Sequence, residues 1–438
     1  MKYTNGRRVA FHTLGCKVNQ YDTQAMQEKF EQSGYEVTDF NDVADVYVIN
    51  TCTVTSLGDR KSRQMIRRAY RRNPNAVIAV VGCYAQTAPE EILEIPGVDL
   101  VLGTRDRNRI VEYVEQVKEI GKPINVIQDI METKEFEEMP ISSFDEKTRA
   151  VLKIQEGCDH YCSYCIIPYA RGPVRSRKPE DVIRQVHRLV DSGFQEFVLT
   201  GIHVASYGKD LNNVNLISLI DKISKIEGVE RIRLGSIEPT LLTEDFVKAV
   251  KDMPKVCRHY HLSLQSGHDQ TLKRMNRKYN TKQYKEIVAR LRKYIPDVAI
   301  TTDIMVGFPG ETQEEFEGTK EFVKSIGFSR IHVFKYSPRE GTPAARFKDQ
   351  VPENIKEIRS RELIALGKEM ELEYLRSFVG KEELVLFEEE SKDKNNWYEG
   401  YTDHYIRVAV QYNDSLLGNI VPVSLQRIEN GIMAGTLK

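Results

Sequence analysis

Three cysteines in one short stretch could do chemistry that no other part of this 438-residue chain suggests as strongly. Cys158, Cys162 and Cys165, here called the loop triad, lie in the string GCDHYCSYCIIPYARG, with no fourth cysteine nearby. Ferredoxins hold 4Fe–4S clusters with four cysteines, so three would leave one iron open to a small molecule. Zinc, with four nitrogen or sulfur ligands, is the alternative, because His160 lies inside the loop. A second, separate set of cysteines in the chain favours the cluster.

A second set of cysteines follows three short apolar runs. VAFHTLGC ends at Cys16, ADVYVINTC at Cys52 and AVIAVVGC at Cys83, and these three are here called the strand triad. Each run is typical of a buried parallel strand followed by an amphipathic helix. Ligands of open parallel sheets bind beyond the carboxyl ends of the strands, so we expect the three thiols to converge there. Buried structural thiols are the alternative, but three at the same end favour a second metal site.

The elements that must position both triads form two α/β series. Residues 1–120 show the alternation of a doubly wound parallel sheet, and the acidic residues 121–146 are predicted to be a linker with one short strand at INVIQD. Residues 147–374 contain six strand candidates, namely VLKIQEGC, EFVLTGI, RIRLGSI, YHLSLQSG, VAITTDIMVGF and RIHVFKYS. Six repeats fall short of a closed eight-stranded barrel and predict a partial (β/α)6 barrel, with the loop triad at its carboxyl-terminal mouth.

A long helical pattern over residues 352–378 completes the second series, and residues 375–438 then change character. Short β-like runs are broken there by Gly, Asn and Asp. They predict a small OB-like β-barrel, a fold that commonly binds RNA, although this segment has more acidic than basic residues. The side chains that could contact RNA are Tyr398, Tyr401, Tyr405 and Arg407. A purely structural role is the alternative.

Composition sets further bounds. The length predicts two or three domains, and a net charge of −1 leaves nucleic-acid binding to local patches. The N-terminus lacks a secretory apolar region, and no stretch is apolar enough to span a bilayer. We therefore expect a cytoplasmic protein with no membrane partner. Seven cysteines in a reducing compartment indicate metal ligands or free thiols rather than disulfides.

One strongly basic run, RKSRQMIRRAYRR, follows Cys52 and predicts a helix. Its candidate RNA contacts are Arg60, Lys61, Arg63, Arg67, Arg68, Arg71 and Arg72. A solvated face is the usual explanation for a charge run, but like charges repel on one helix, which favours phosphate contact. A shorter basic string could line the same RNA path, and it contains Arg171, Arg175, Arg177 and Lys178.

Taken in order, these motifs resemble a known family over essentially the whole chain. TLGCKVNQYD, NTC and GCYAQ around the strand triad, then GCDHYCSYCIIPYARG and a terminal β-barrel, are similar to the methylthiotransferases of the radical S-adenosylmethionine (SAM) superfamily. The resemblance implies two 4Fe–4S clusters, a SAM-cleaving one on the loop triad and an auxiliary one on the strand triad. It also implies a radical SAM core in the centre and a TRAM domain at the C-terminus.

Finer similarities point to one branch of this family. GCKVNQYD, LGSIEP and HLSLQSG are most similar to the branch that modifies threonylcarbamoyladenosine, the nucleoside 3′-adjacent to the tRNA anticodon. The implied reaction adds sulfur and a methyl group at carbon 2, with SAM as radical source and methyl donor. The implied partners are the tRNA anticodon stem-loop and an electron donor such as flavodoxin or ferredoxin. The residues expected to contact SAM are Tyr164, Gly201, Glu238 and Gln265.

Three alternatives stay open at this point. Two share the chemistry and differ in substrate, which would be isopentenyladenosine of tRNA or an aspartate of a ribosomal protein. The third is a non-catalytic RNA-binding protein whose triads hold zinc. Against it, neither triad has a clear fourth protein ligand.

Overall fold

The computed structural model describes residues 7–142, 148–391 and 396–438. Three units follow one another along the chain, a parallel α/β sheet, a partial β/α barrel and a small closed β-barrel. The predicted fold class is therefore confirmed. Within the described residues, no helix has both the length and the apolar character that crossing a membrane requires.

Six parallel strands form the N-terminal sheet. Their bounds are β1 Arg8–Thr13, β2 Glu36–Thr38, β3 Val46–Thr51, β4 Val77–Gly82, β5 Val98–Leu102 and β6 Ile124–Asn125. The helices that flank them are α1 Lys17–Gln32, α2 Ser56–Arg72, α3 Cys83–Thr87, α4 Pro89–Leu93 and α5 Ile110–Ile120. The strand order is β2-β1-β3-β4-β5-β6. Every residue of β3 and β4 is buried, as expected of a parallel sheet covered on both faces.

The central unit is an open barrel, and all six predicted strands are present. Its strands are β7 Arg149–Glu156, β8 Arg175–Ser176, β9 Glu196–Gly201, β10 Arg231–Leu234, β11 Ser236–Ile237, β12 His259–Leu262, β13 Ala299–Val306 and β14 Arg330–Lys335. Its helices are α6 Ile167–Arg171, α7 Pro179–Asp191, α8 Leu216–Ser224, α9 Glu244–Lys251, α10 Asp269–Arg274, α11 Thr281–Tyr294, α12 Gln313–Ile326 and α13 Glu353–Arg376. The strands form two sheets, β10-β9-β7-β8 and β11-β12-β13-β14.

The N-terminal unit packs along the open side of this barrel. Helix α1 contacts β7, the first barrel strand. At the other edge, beyond β14, the hydroxyls of Ser56 and Ser337 share a hydrogen bond (2.7 Å), and Arg339 pairs with Asp59 (2.6 Å). The sheet therefore contacts both the first and the last strand region of the barrel.

The segment predicted as a linker also contributes to this interface. Met139 and Ile141 are buried in the barrel core, and the carboxylates of Glu137 and Glu138 accept from Arg107 and Arg177 respectively. Residues 121–142 therefore do not form a free tether. The rest of that prediction, residues 143–146, lies outside the described residues.

The C-terminal unit closes the end of the central barrel opposite the cysteine loop. Its strands are β15 Glu382–Glu390, β16 Trp397–Thr402, β17 Arg407–Gln411, β18 Ile420–Glu429 and β19 Ile432–Leu437, joined into a closed barrel. Arg231 and Arg233 of β10 donate to its backbone carbonyls at 2.7–3.0 Å. Tyr405 stacks between Tyr401 (4.8 Å between ring centroids) and His259 of the central barrel (4.9 Å). The expectation that Tyr405 stacks on RNA bases is wrong, because both faces of its ring are occupied within the protein, whereas for Tyr401 the stacking on Tyr405 covers one face.

Candidate active site

The loop triad lies where strand β7 ends, at the mouth of the barrel. Gly157 starts the loop with a φ of +76°, and a Cβ there would lie 1.8 Å from the carbonyl oxygen of Pro173. Only glycine fits this turn. The Cys158 amide then donates to the Gly172 carbonyl (3.0 Å), so both ends of the loop are held together.

Backbone and side-chain contacts of Ser163 clamp the middle of the loop to the barrel. Its amide donates to the Met275 carbonyl (3.0 Å), and its hydroxyl donates to the Arg274 carbonyl (2.7 Å). Its own carbonyl accepts from the Ala344 amide (2.8 Å). The positions of the cysteines are therefore fixed by the protein itself.

Burial keeps the thiols of Cys158 and Cys165 protonated when no metal compensates their charge. It raises the pKa of Cys158 to about 11 and that of Cys165 to about 12, and the neighbouring thiols of the triad add to both shifts. The three sulfurs are thus within electrostatic reach of one another. Since only thiolates bind a metal, cluster binding must displace protons from this loop.

A set of polar groups faces the loop triad from the neighbouring strand ends. Arg277 donates to the Cys162 sulfur (3.4 Å) and to Glu238 Oε2 (2.6 Å). Glu238 Oε1 and His203 Nε2 are buried and, among the described residues, have no hydrogen-bond partner. An unsatisfied buried polar atom costs about 1–3 kcal/mol, so these two unpartnered atoms indicate a polar ligand beside the cysteines.

The two histidines at this position are neutral. Burial lowers the pKa of His203 to about 3, and His160 lowers it further. The two rings pack against each other with centroids 4.2 Å apart. Together with Glu238 they form a group whose ligand atoms all lie within 4.8 Å. His160 therefore turns towards His203, away from the role of fourth zinc ligand in the loop.

Gln155 joins the cysteine loop to the strand end that carries His203. Its side-chain Nε2 donates to the carbonyls of Glu156 and Gly157 (2.7 Å each), and its side-chain Oε1 accepts from the backbone amide of His203 (2.7 Å). A Cβ on Gly201 would lie 2.8 Å from this same oxygen. Gly201 is therefore required for packing around Gln155.

The other two residues expected to contact SAM are placed differently. Gln265 adopts a φ of +69° and continues the barrel sheet, since its amide donates to the Asp303 carbonyl (2.9 Å). Tyr164 is half-buried, and its ring meets the edge of Phe308 at 6.4 Å. Both lie at the barrel mouth, with Tyr164 packed into its wall.

The strand triad converges at the ends of three adjacent strands, β1, β3 and β4. Gly15 has a φ of +103°, and a Cβ there would lie 2.9 Å from the Cys52 sulfur. Burial raises the pKa of Cys52 to about 11, and Cys83 and Cys16 raise it further. The structure thus brings together three thiols that are far apart in sequence.

The spacing of both triads distinguishes between zinc and a larger cluster. With Zn–S bonds of 2.3 Å, a tetrahedral site holds its sulfurs about 3.8 Å apart. Among the described residues, two groups of three ligand-type side chains have all their ligand atoms within 4.8 Å, and neither group contains a cysteine. Neither triad therefore has all three sulfurs within 4.8 Å of one another, which is a wider spacing than a tetrahedral zinc site requires and suits a larger cluster.

A buried network of charges lies between the two triads. Arg171, at the end of α6, donates from Nε to the Cys83 sulfur (3.2 Å) and from Nη1 to Asp22 (3.0 Å) and Glu156. Arg107 and Lys153 pair with the same two carboxylates. The network connects the N-terminal sheet to the segment that carries the loop triad.

This network overturns one expectation about RNA. Three of the four residues in the shorter basic string are fully or almost fully buried, namely Arg171, Arg175 and Arg177. Their charges are used in contacts within the protein, because burial of a cation requires a partner. They do not line an RNA path, and in this string only Lys178 is exposed.

The predicted basic helix is present as α2, directly after Cys52. Arg63 pairs with Glu91 (2.9 Å), and Arg68 donates to Asn41. The other cations are exposed and have no ion pair within the described part of the chain; these are Arg60, Lys61, Arg67, Arg71 and Arg72. One face of α2 is therefore positively charged and available.

Comparison with known proteins connects these sites to a family. Residues 152–323 match the model of the Radical SAM superfamily, and residues 8–103 match the uncharacterized protein family UPF0004. The threonylcarbamoyladenosine tRNA methylthiotransferase MtaB of Bacillus subtilis (strain 168) is 48% identical and covers 95% of this chain and 93% of its own. MtaB of Aquifex aeolicus (strain VF5) is 43% identical, covering 88% and 94%. The tRNA-2-methylthio-N(6)-dimethylallyladenosine synthase of Clostridium novyi (strain NT) is 37% identical, covering 98% and 96%.

Solved structures share the fold at low sequence identity. The radical SAM methyltransferase TsrM from Kitasatospora setae aligns with a TM-score of 0.59 and 15% identity, over 78% of this chain and 77% of its own. The cobalamin-dependent radical SAM enzyme OxsB aligns with a TM-score of 0.51 and 10% identity, over 81% and 56%. The superfamily match implies SAM and a 4Fe–4S cluster. From its relatives and its two matched regions, this chain belongs to the methylthiotransferases of the radical SAM superfamily.

Proposed function

We propose that this protein adds a methylthio group at carbon 2 of threonylcarbamoyladenosine, 3′-adjacent to the tRNA anticodon. One observation carries the two-site chemistry: the two triads are neighbours across a domain interface, because Arg171 of the loop-triad segment contacts Cys83. The substrate is supported by 48% and 43% identity to two proteins named for this reaction. The dimethylallyladenosine synthase is less similar, at 37%.

The two triads take different cofactors in this proposal. The loop triad holds the 4Fe–4S cluster that binds SAM, and the strand triad holds an auxiliary 4Fe–4S cluster. When bound, the first supplies reductive cleavage of SAM and the second a sulfur atom within reach of the substrate. The protein supplies the geometry and excludes side reactions.

Residues at the barrel mouth orient SAM. Among the described residues, Glu238 Oε1 is an unpartnered acceptor there, and it suits the ammonium group of SAM; His203 Nε2 is a second unpartnered polar atom beside it. Arg277 holds Glu238 at 2.6 Å while contacting Cys162. Gln155 holds the His203 loop against the cysteine loop. These contacts direct the amino-acid end of SAM towards the cysteines of the loop triad.

The tRNA approaches from the side of α2. This helix presents unpaired cations for phosphate contacts, and it begins beside the strand triad. Val54 and Leu57, next to Cys52, are exposed by 54% and 47%, which provides apolar surface for a base close to the sulfur source. Flavodoxin or ferredoxin supplies electrons, and the reaction takes place where tRNA is available, in the cytoplasm.

Nucleoside mass spectrometry tests this function. Total tRNA is compared from cells with and without the gene, in a host that has no redundant enzyme. The proposal predicts loss of the methylthio form of threonylcarbamoyladenosine and accumulation of its precursor. Loss of the methylthio form of isopentenyladenosine instead would assign the other tRNA substrate. Unchanged tRNA nucleosides would contradict the proposal and direct attention to ribosomal proteins.

A further inference from the structure

Arg171 is the residue that joins the two cysteine sites. Its side chain is 0% exposed, and it lies in the same string as the loop triad, at the end of α6. The Nε atom donates to the Cys83 sulfur (3.2 Å), and the two Nη atoms contact Asp22, Glu156 and Asn19. A permanent cation is thus held against one sulfur of the strand triad.

The ion pairs of Arg171 do not by themselves account for its position. Asp22 is also paired with Arg107 and Lys153, and so is Glu156. Neither carboxylate would therefore lose its last cation if Arg171 were replaced. Two contacts of Arg171 are duplicated by no other described side chain, the one from Nη2 to Asn19 and the one from Nε to Cys83, and only the second involves a sulfur of the strand triad.

Hydrogen bonds to cluster sulfurs are among the factors that set the reduction potentials of iron–sulfur clusters. A donor that carries a full positive charge stabilises the reduced form, which has one more negative charge. A buried environment strengthens this effect, because the low dielectric screens the charge less than water does. Arg171 meets all three conditions.

We propose that Arg171 is a positioning residue for the auxiliary cluster, donating to the Cys83 sulfur and raising the reduction potential of that cluster. The inference rests on the proposed function, because it requires a cluster on the strand triad. Arg171 thus lies in the segment of the loop triad but acts on the cluster of the strand triad.

The test uses the full chain with Cys158, Cys162 and Cys165 all changed to Ala, so that only the strand triad can bind iron. This parent and two added variants, Arg171→Lys and Arg107→Lys, are reconstituted with iron and sulfide. Their midpoint potentials are then measured by EPR-monitored redox titration. Arg107→Lys is the matched control, since Arg107 belongs to the same buried network but contacts no cysteine.

We expect Arg171→Lys to shift the potential to more negative values at equal iron content, and Arg107→Lys to leave it unchanged. Equal potentials for the parent and Arg171→Lys would overturn the role of Arg171 while leaving the auxiliary cluster in place. A parent that binds no iron would overturn the auxiliary cluster itself, which is part of the proposed function.

A second measurement needs no variant at position 171. The parent is labelled with 15N-arginine, and the reduced cluster is studied by pulsed EPR. A 15N coupling from one arginine is expected, because Arg171 Nε lies 3.2 Å from a ligand sulfur. Absence of any such coupling from a reduced, fully loaded cluster would overturn the contact.

Discussion

The two cysteine triads of this protein are assembled in different ways. The loop triad lies in one short segment that follows β7, and contacts of Gly157 and Ser163 hold this segment to the rest of the barrel. The strand triad exists only when β1, β3 and β4 lie side by side in the N-terminal sheet. A local site is visible as a spacing in sequence, whereas a site made from strand ends depends on the whole sheet.

Their surroundings differ as well. Beside the loop triad, two buried polar atoms have no hydrogen-bond partner in the described part of the chain, Glu238 Oε1 and His203 Nε2, and they suit a small polar ligand. Beside the strand triad are a buried cation on one side and an exposed cysteine, Cys16, on the other. The first environment is suited to binding SAM and the second to presenting sulfur to a large substrate.

The largest effect is expected from breaking the loop triad. Cys158→Ala should abolish cleavage of SAM to 5′-deoxyadenosine, because a three-cysteine cluster cannot lose a ligand and keep its open iron in place. Product analysis by liquid chromatography after reduction measures this. Cys257→Ala is the control, since Cys257 is buried away from both triads between β10 and the C-terminal unit. Cleavage at the normal rate by Cys158→Ala would contradict the assignment.

A smaller effect is expected at the SAM acceptors. Glu238→Gln removes the charge that faces the SAM ammonium group, and a hydrogen bond to a charged group is worth about 1.5–3 kcal/mol. SAM affinity should therefore fall by roughly 10- to 150-fold with iron content unchanged. Equilibrium binding measures it, and Glu314→Gln, an exposed position on α12, provides the control. Unaltered affinity would remove Glu238 from the SAM site.

The substrate side of the strand triad is tested on α2. Arg67→Glu combined with Arg71→Glu should weaken tRNA binding. The slope of the logarithm of the binding constant against the logarithm of the salt concentration should become shallower by about 2, one unit for each lost phosphate contact. Cleavage of SAM without tRNA should not change. Lys222→Glu combined with Lys225→Glu, at the C-terminal end of α8, makes the same change in net charge and is the control. Equal salt dependence for the variant and the wild type would exclude this face from the RNA path.

The smallest effect is expected at the interface between the central barrel and the C-terminal unit, which supports neither triad. Burial would lower the pKa of His404, but Asp403 (2.8 Å) and Glu383 (3.5 Å) outweigh it and raise the pKa to about 9. Asp297 of the central barrel also faces this ring (3.2 Å). Because the pKa of His404 is higher in the folded protein, its protonation stabilises the fold. This contribution to the free energy of unfolding, at most about 3 kcal/mol, is fully present below about pH 6.5 and is lost as the pH rises through 9.

Thermal unfolding between pH 6 and pH 10 checks this effect. The wild type should lose stability across that window, and His404→Gln should lose much less. Iron content of both triads should be the same in the two proteins, because the C-terminal unit lies at the opposite end of the barrel. Identical pH profiles would show that His404 is not charged in the folded protein.

Much of this organisation could be predicted from the sequence, for reasons that differ between sites. The apolar runs before Cys16, Cys52 and Cys83 indicate buried strands, and parallel strands bring their ends together. The six barrel strands and the basic helix α2 follow from periodicity. The strands and the helix depend on local pattern alone, whereas the strand triad also depends on the sheet that aligns its strands.

Contacts between distant segments were not predictable in this way. Arg171 was expected on an RNA path, because a sequence shows its charge but not the burial of Asp22 and Glu156 beside it. His203 and Arg277 have no motif of their own and gain meaning only from the strand ends that place them near Cys162 and Glu238. Their roles require tertiary structure.

The central claim is that the two triads do separate tasks, and Cys83→Ala tests it most directly. In one incubation with SAM, reductant and tRNA, 5′-deoxyadenosine and the methylthiolated nucleoside are both measured. The account predicts that Cys83→Ala still forms 5′-deoxyadenosine and forms no methylthiolated product. Full product from Cys83→Ala, or loss of SAM cleavage along with product while the loop triad keeps its iron, would contradict it.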